Sequence, residues 1–288
     1  MSFDAFVERA WNDHADDPGG VATRLETSLA LVDAPVRIAP YARLVTHVFG
    51  EHLGQWQRGM RVLGMLTARA RDDVAATRTL ARSTATLCYA SGDASALEPL
   101  DVDDRIAALA TASSAFAARG ALARALDAFH DALALAAEGI PDGSPALRAL
   151  AAGGNNLAVA LEGKPDRDAR ETRGMLDAAR AGLTYWRRAG TWLEEERALY
   201  RLARSLLCAG QAREAAEQAA RCLALCDEHA APPFERFFGT AALALAQRDA
   251  GEANAFAASR ERAAALHAAL PADERAACDA VLAELDAR

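Results

Sequence analysis

Residues 105–136 and 195–226 carry the same pattern, offset by 90 positions. Leu109, Ala112, Ser113 and Phe116 return as Leu199, Leu202, Ala203 and Leu206. Gly120 returns as Gly210, and Ala125, Phe129 and Ala132 return as Ala215, Ala219 and Cys222. The spacing before each glycine and the spacing after it each mark one face of a helix. The unit is therefore a helix, a glycine turn and a second helix, and the offset is about two units of 45 residues. One such pair cannot bury its apolar face alone, so the chain has to stack its pairs.

Composition agrees with this. Ala and Leu make up more than a third of the 288 residues, against 14 Val and Ile together. Summed over segments, that balance favours helix and leaves little material for strands, so the fold class is all-α. Turn chemistry cuts the helical periodicity at Asp17–Gly20, Asp33–Pro35, Gly54, Ser91–Asp93, Gly120, Pro141–Pro145, Gly163–Asp166, Gly190, Gly210, Pro232–Pro233, Gly251 and Pro271. The linkers are short, and short linkers force successive helices to pack antiparallel. No Pro/Ser-rich tract divides the chain, which predicts one continuous domain over 1–288.

The formal net charge is −8, with a sequence pI near 5.3. A net acidic chain argues against nucleic acid as the primary partner. Lys164 is the only lysine among 32 basic residues. The five cysteines (Cys88, Cys208, Cys222, Cys226, Cys278) are odd in number and mostly lie in apolar helical runs, which predicts reduced core thiols. The N-terminal stretch lacks a basic region followed by an apolar one, and no long uncharged apolar run is present. The expectation is a soluble, cytoplasmic protein that does not enter membranes.

The bulky–bulky–small–bulky pattern, the glycine turn and the small and bulky residues after it resemble the tetratricopeptide repeat (TPR). Small residues let two helix backbones approach, and large ones fill the groove opposite. Weaker copies follow the same plan. Tyr41, Leu44, Val45 and Val48, then Gly54, Gly59, Leu63 and Leu66, fit with about two extra residues before the turn. Phe3, Phe6, Val7 and Ala10, then Val21, Leu25 and Ser28, fit similarly. The stretch 73–100 keeps a first helix, but Ser95–Leu100 is too short for a second. The resemblance implies a right-handed α–α superhelix of six or seven antiparallel pairs, with repeats near 2–34, 36–70, 72–100, 103–139, 145–189, 191–230 and 232–270. A capping helix is expected over 272–287, with Ala277, Val281 and Leu285 on its apolar face.

Motifs for catalysis are absent: no P-loop, H-E-x-x-H, C-x-x-C or G-x-S-x-G occurs. The chain is expected to be no enzyme, with no cofactor and no metal. Cys222, Cys226 and His229 share a helix face; three ligands on one helix are poor for structural zinc, and core packing is the preferred reading. The six histidines show no acid-and-nucleophile set, although His47 lies near the first-helix face of an early repeat. Tyr185, Trp186, Trp192 and Tyr200 gather around Gly190, either as packing between repeats or as a pocket wall. Arg197, Arg201 and Arg204 form a stripe: either an intrahelical ladder with Glu194, or a carboxylate reader. In the families that this chain resembles, the positions of Arg197, Tyr200 and Arg204 face the concave groove.

Asn155 and Asn156 in GGNNLAVAL resemble the Asn-Asn-Leu-Ala element of kinesin-light-chain-type repeats, where an amide holds the backbone of a bound peptide. The other reading is a local cap after Gly153–Gly154. The resemblance thus implies a scaffold that binds a protein or peptide, acidic or through its C-terminal carboxylate, at Asn155, Asn156, Arg197, Tyr200 and Arg204. The alternative is a sensor of a small molecule or signal peptide that acts on a partner in trans. Self-association is compatible with either, and nothing specifies its symmetry.

Overall fold

The computed structural model describes residues 1–287. It is all-α, and the described residues contain no strand. The chain divides into two compact units, Met1–Ala160 and Leu161–Arg288.

Unit 1 contains α1 (Phe3–Asp13), α2 (Pro18–Thr27), α3 (Ile38–Val45), a π-helical segment (Thr46–His52), α4 (Trp56–Gly64), α5 (Thr67–Ala70), α6 (Val74–Ser91), α7 (Val102–Ala118), α8 (Leu122–Ala136) and nearly all of α9 (Pro145–Glu162). Unit 2 contains α10 (Ala169–Ala189), α11 (Trp192–Cys208), α12 (Ala212–Glu228), α13 (Pro233–Asp249), α14 (Ala253–Ala268) and α15 (Ala272–Asp286).

The repeat signature explains the packing of both strong pairs. On α7, Ala112 and Ser113 are fully buried, and Ser113 Oγ donates to the Ala125 carbonyl of α8 at 2.8 Å. The small side chain brings the two backbones together, and the hydroxyl finds a partner instead of being stranded. On α11 Ala203 takes the place of Ser113; it is fully buried and packs with Ala219 of α12 and Ala242 of α13. Both pairs turn identically. Gly120 and Gly210 each have φ +72, and Ala121 and Gln211 each donate back to Phe116 and Leu206 at 2.9 Å. That left-handed cap favours glycine.

Side-chain caps open the helices. Asp101 starts α7. Asp168 with Glu171, and Thr191 with Glu194, form capping boxes at α10 and α11. Each cap is worth about 1 kcal/mol. Glu194 therefore serves the start of α11 as a cap.

Two details differ from the sequence expectation. The extra residues before Gly54 are absorbed by a π-helix over Thr46–His52, in which Leu53 N–H donates to Val48 O at 3.1 Å, five residues back. The apolar face of α15 is set by Cys278 and Leu285, which are buried, with Val281 and Leu282 packed beside them; Ala277 is exposed. The alternating three- and four-residue steps from 278 to 285 follow the helical period, whereas steps of four drift off the face. This helix joins a cluster with Phe237, Leu245, Ala263 and Leu270. Among the described residues, no helix is long and apolar enough to cross a membrane.

Candidate functional site

Helices α3, α6, α7 and α9 of unit 1 border a cavity of about 550 Å³. Arg43, His47, Glu51, Arg82, Arg148 and Asn156 supply its charged and amide groups. They come from α3, α6, α9 and the π-helix, and the periodicity that buries one face of a helix turns these residues toward the opening.

The cavity is basic. Glu51 is the only carboxylate on its lining, against three arginines. Arg82 is anchored by the buried Asp104 at 2.6 Å, and Asp104 also receives Arg78. Arg43 lies over the Trp11 ring at 5.1 Å, a cation–π contact. Burial and the charge of Arg148 hold the Arg43 guanidinium below the usual range, and Glu51 offsets part of this. Two like charges beside a cavity favour an anion in it.

A histidine cluster lies at the Trp11 side. His47 Nε2 and His52 Nε2 are 3.1 Å apart, His47 Nδ1 meets Glu51 Oε1 at 3.1 Å, and His14 Nδ1 meets the Trp11 carbonyl at 2.5 Å. The π-helix makes the pair possible. In an α-helix, residues five apart point about 140° away from each other; the wider turn brings them onto one face.

The sequence-derived site residues fall into two groups. Asn155 and Asn156 lie in the middle of α9, because the helix runs unbroken through Gly153–Gly154; the cap reading is replaced by a continuous helix. Asn156 lines the cavity and donates from Nδ2 to Ser114 Oγ at 3.4 Å. Asn155 does not line it, and its Oδ1 is buried without a hydrogen-bond partner. Gly153 is explained by packing: a Cβ there would lie 2.8 Å from the Ala110 carbonyl oxygen of α7.

Arg197, Tyr200 and Arg204 belong to unit 2, where internal partners engage them. Arg197 meets Glu235 at 2.5 Å, and Arg204 meets Glu284 of α15 at 2.8 Å. Arg201 meets Glu162 at 2.5 Å. All three of these pairs run between helices rather than along α11. Tyr200 packs edge-on against Phe238, with ring centroids 5.4 Å apart. Trp192 stacks on His229 at 4.8 Å. Cys222 and Cys226 are buried beside Glu196.

Sequence reasoning missed Arg43, Arg82, Arg148, His14, His52 and Glu51. One signal was present: the two extra residues before Gly54 marked the segment that carries His47, Glu51 and His52.

No family model matches the chain, and no curated protein sequence matches it. Among solved structures it is similar to a putative kinesin light chain of Podosopora anserina with nearly identical TPR-like repeats. That likeness has a TM-score of 0.51 at 16% identity, over 82% of this chain and 98% of that one. A point variant of the same protein gives 0.50 at 16% identity, over 81% and 96%. BtubC (BKLC) of P. vanneervenii gives 0.49 at 16% identity, over 93% and 92%. At such identity the first two likenesses speak for the fold, and they agree with the repeat signature and the paired glycine turns: the chain has a TPR-like helical-repeat fold.

Proposed function

We propose that the protein is a non-catalytic scaffold that takes an acidic peptide segment into the cavity of unit 1. The observation that carries this is the juxtaposition of Arg43 and Arg148, whose like charges meet beside an opening with one lining carboxylate. An incoming carboxylate relieves that repulsion, and a guanidinium fork binds it in two-point fashion. The Asn156 amide, with a donor and an acceptor, suits the backbone of an extended segment whatever its side chains. Arg197 and Arg204 would bind such a segment only by giving up Glu235 and Glu284. The cavity also has the size of a small-molecule site, and short dicarboxylates belong in the same test.

Fluorescence anisotropy with acidic, neutral and basic peptides provides that test. The acidic peptide is expected to bind, with affinity falling as salt rises. Arg43→Gln and Asn156→Ala are each expected to weaken it by about tenfold or more, which is about 1.4 kcal/mol. Arg197→Gln is expected to leave it unchanged. Loss on Arg197→Gln alone would move the interface to unit 2. Failure of every acidic peptide and dicarboxylate to bind would sink the reading.

A further inference from the structure

Three imidazoles surround one point in unit 1, and ion pairing with the arginines does not explain them. One ring nitrogen from each of His14, His47 and His52 lies within 4.8 Å of the others, and all three residues are half-buried. Zinc–nitrogen bonds of about 2.0–2.1 Å in a tetrahedron place neighbouring donors about 3.3 Å apart. The His47–His52 edge, at 3.1 Å, is already of that length. Side-chain rotation of about 1.5 Å at most closes the third vertex.

Two of the three rings have their other nitrogen held as a metal site requires. His47 Nδ1 faces the Glu51 carboxylate and His14 Nδ1 faces the Trp11 carbonyl. An oxygen acceptor on one ring nitrogen keeps the proton there and leaves Nε2 as a lone pair. The indole of Trp11 lies against His14 and His47, with ring centroids 5.2 and 5.1 Å away, and restricts their rotation. The π-helix supplies the second independent feature: an irregular turn whose effect is to set His47 and His52 side by side. Core packing does not need three polar rings in mutual contact.

We propose that His14, His47 and His52 bind a divalent transition metal with the coordination chemistry of Zn²⁺, with Glu51 orienting His47. Three imidazoles suit Zn²⁺, Ni²⁺ or Cu²⁺ and are wrong for Mg²⁺ and Ca²⁺, which take oxygen ligands. Three protein ligands leave a coordination position for water or for a ligand group. Because His47 and Glu51 line the cavity, that position is available to a ligand held there.

The test is calorimetric titration of Zn²⁺ into the tag-free full chain after EDTA treatment and its removal, with Co²⁺ spectra reporting the geometry. One equivalent is expected to bind, and Co²⁺ is expected to give visible bands of low coordination number. His47→Gln with His52→Gln is expected to abolish both signals, Glu51→Gln to weaken binding about tenfold, and His130→Gln on α8 to change nothing. Circular dichroism in EDTA checks the fold, and His52→Gln alone replaces the double variant if that one unfolds. No zinc binding by the wild type, or equal binding by the wild type and the histidine variants, overturns the proposal. Peptide affinity measured in EDTA separates this result from the arginine reading above.

Discussion

From about pH 5 to about pH 8 the protein is expected to lose about 2 to 3 kcal/mol of unfolding free energy relative to its Glu196→Gln variant. Glu196 sits on α11 with 1% exposure. Cys222 Sγ donates to its Oε1 at 2.8 Å, and its Oε2 is buried without a partner. Burial raises its pKa, the Cys222 contact lowers it, and the charge of Glu235 raises it again, leaving it at about 7 against 4.5 for an ordinary glutamate. The folded state therefore holds this proton more tightly than the unfolded state does. Stability is fully present below about 4.5 and falls as pH rises towards 7.

Two other kinds of group set the background of this experiment. The carboxylates of Glu26 and Glu171, held low by Arg58 and Lys164, act below that window. His52, held low by burial and by its two histidine neighbours, acts in the opposite sense just below its ordinary value. The difference between wild type and Glu196→Gln removes both. Urea unfolding in EDTA at several pH values checks it, and parallel curves for the two proteins would show that Glu196 titrates normally.

Gly153→Ala is expected to destabilise unit 1 by about 1 to 3 kcal/mol, through overpacking at a close helix crossing. Helix propensity alone gives the opposite sign, a gain of about 1 kcal/mol for Ala over Gly in a helix interior. The contact decides. A Cβ at Gly153 would lie 2.8 Å from the Ala110 backbone oxygen, and a backbone atom cannot swing aside as a flexible side chain can. Gly64, at the end of α4, has nothing within 4 Å of its would-be Cβ and is exposed. Gly64→Ala is therefore expected to be neutral or to gain up to about 1 kcal/mol. Because Gly153 and Asn156 both line the cavity, Gly153→Ala is also expected to weaken peptide binding. Thermal unfolding of both variants checks the pair. Equal shifts for Gly153→Ala and Gly64→Ala would mean that α9 and α7 are not in that close contact.

The repeat architecture was legible because it is written in local terms. Ser113 and Gly120 announce a close approach and a left-handed turn through their own chemistry, and Ala203 and Gly210 repeat them 90 residues later. The site was less legible because its parts are contributed by distant segments. Arg43, Arg82 and Arg148 look like ordinary surface arginines until α3, α6 and α9 are brought around one opening. His14 is separated from His47 by α2 and α3, and no spacing rule links them. The arginine stripe of α11 carried a misleading regularity. Its spacing fits a recognition face and an intrahelical ladder equally well, and only the folded positions of Glu235, Glu162 and Glu284 show which carboxylates it meets. Asn155 and Asn156 lie on one helix, but only the second lines the cavity.

The π-helix makes the histidine cluster a matter of backbone winding as much as of residue identity. Were the same seven residues wound as an ordinary α-helix, with none lost, His47 and His52 would stay five apart and point about 140° away from each other. Every histidine would remain in the chain, yet the three rings would no longer converge. A comparison of related chains that counts only matched residues would score such a protein as intact. The feature to look for is the wide turn.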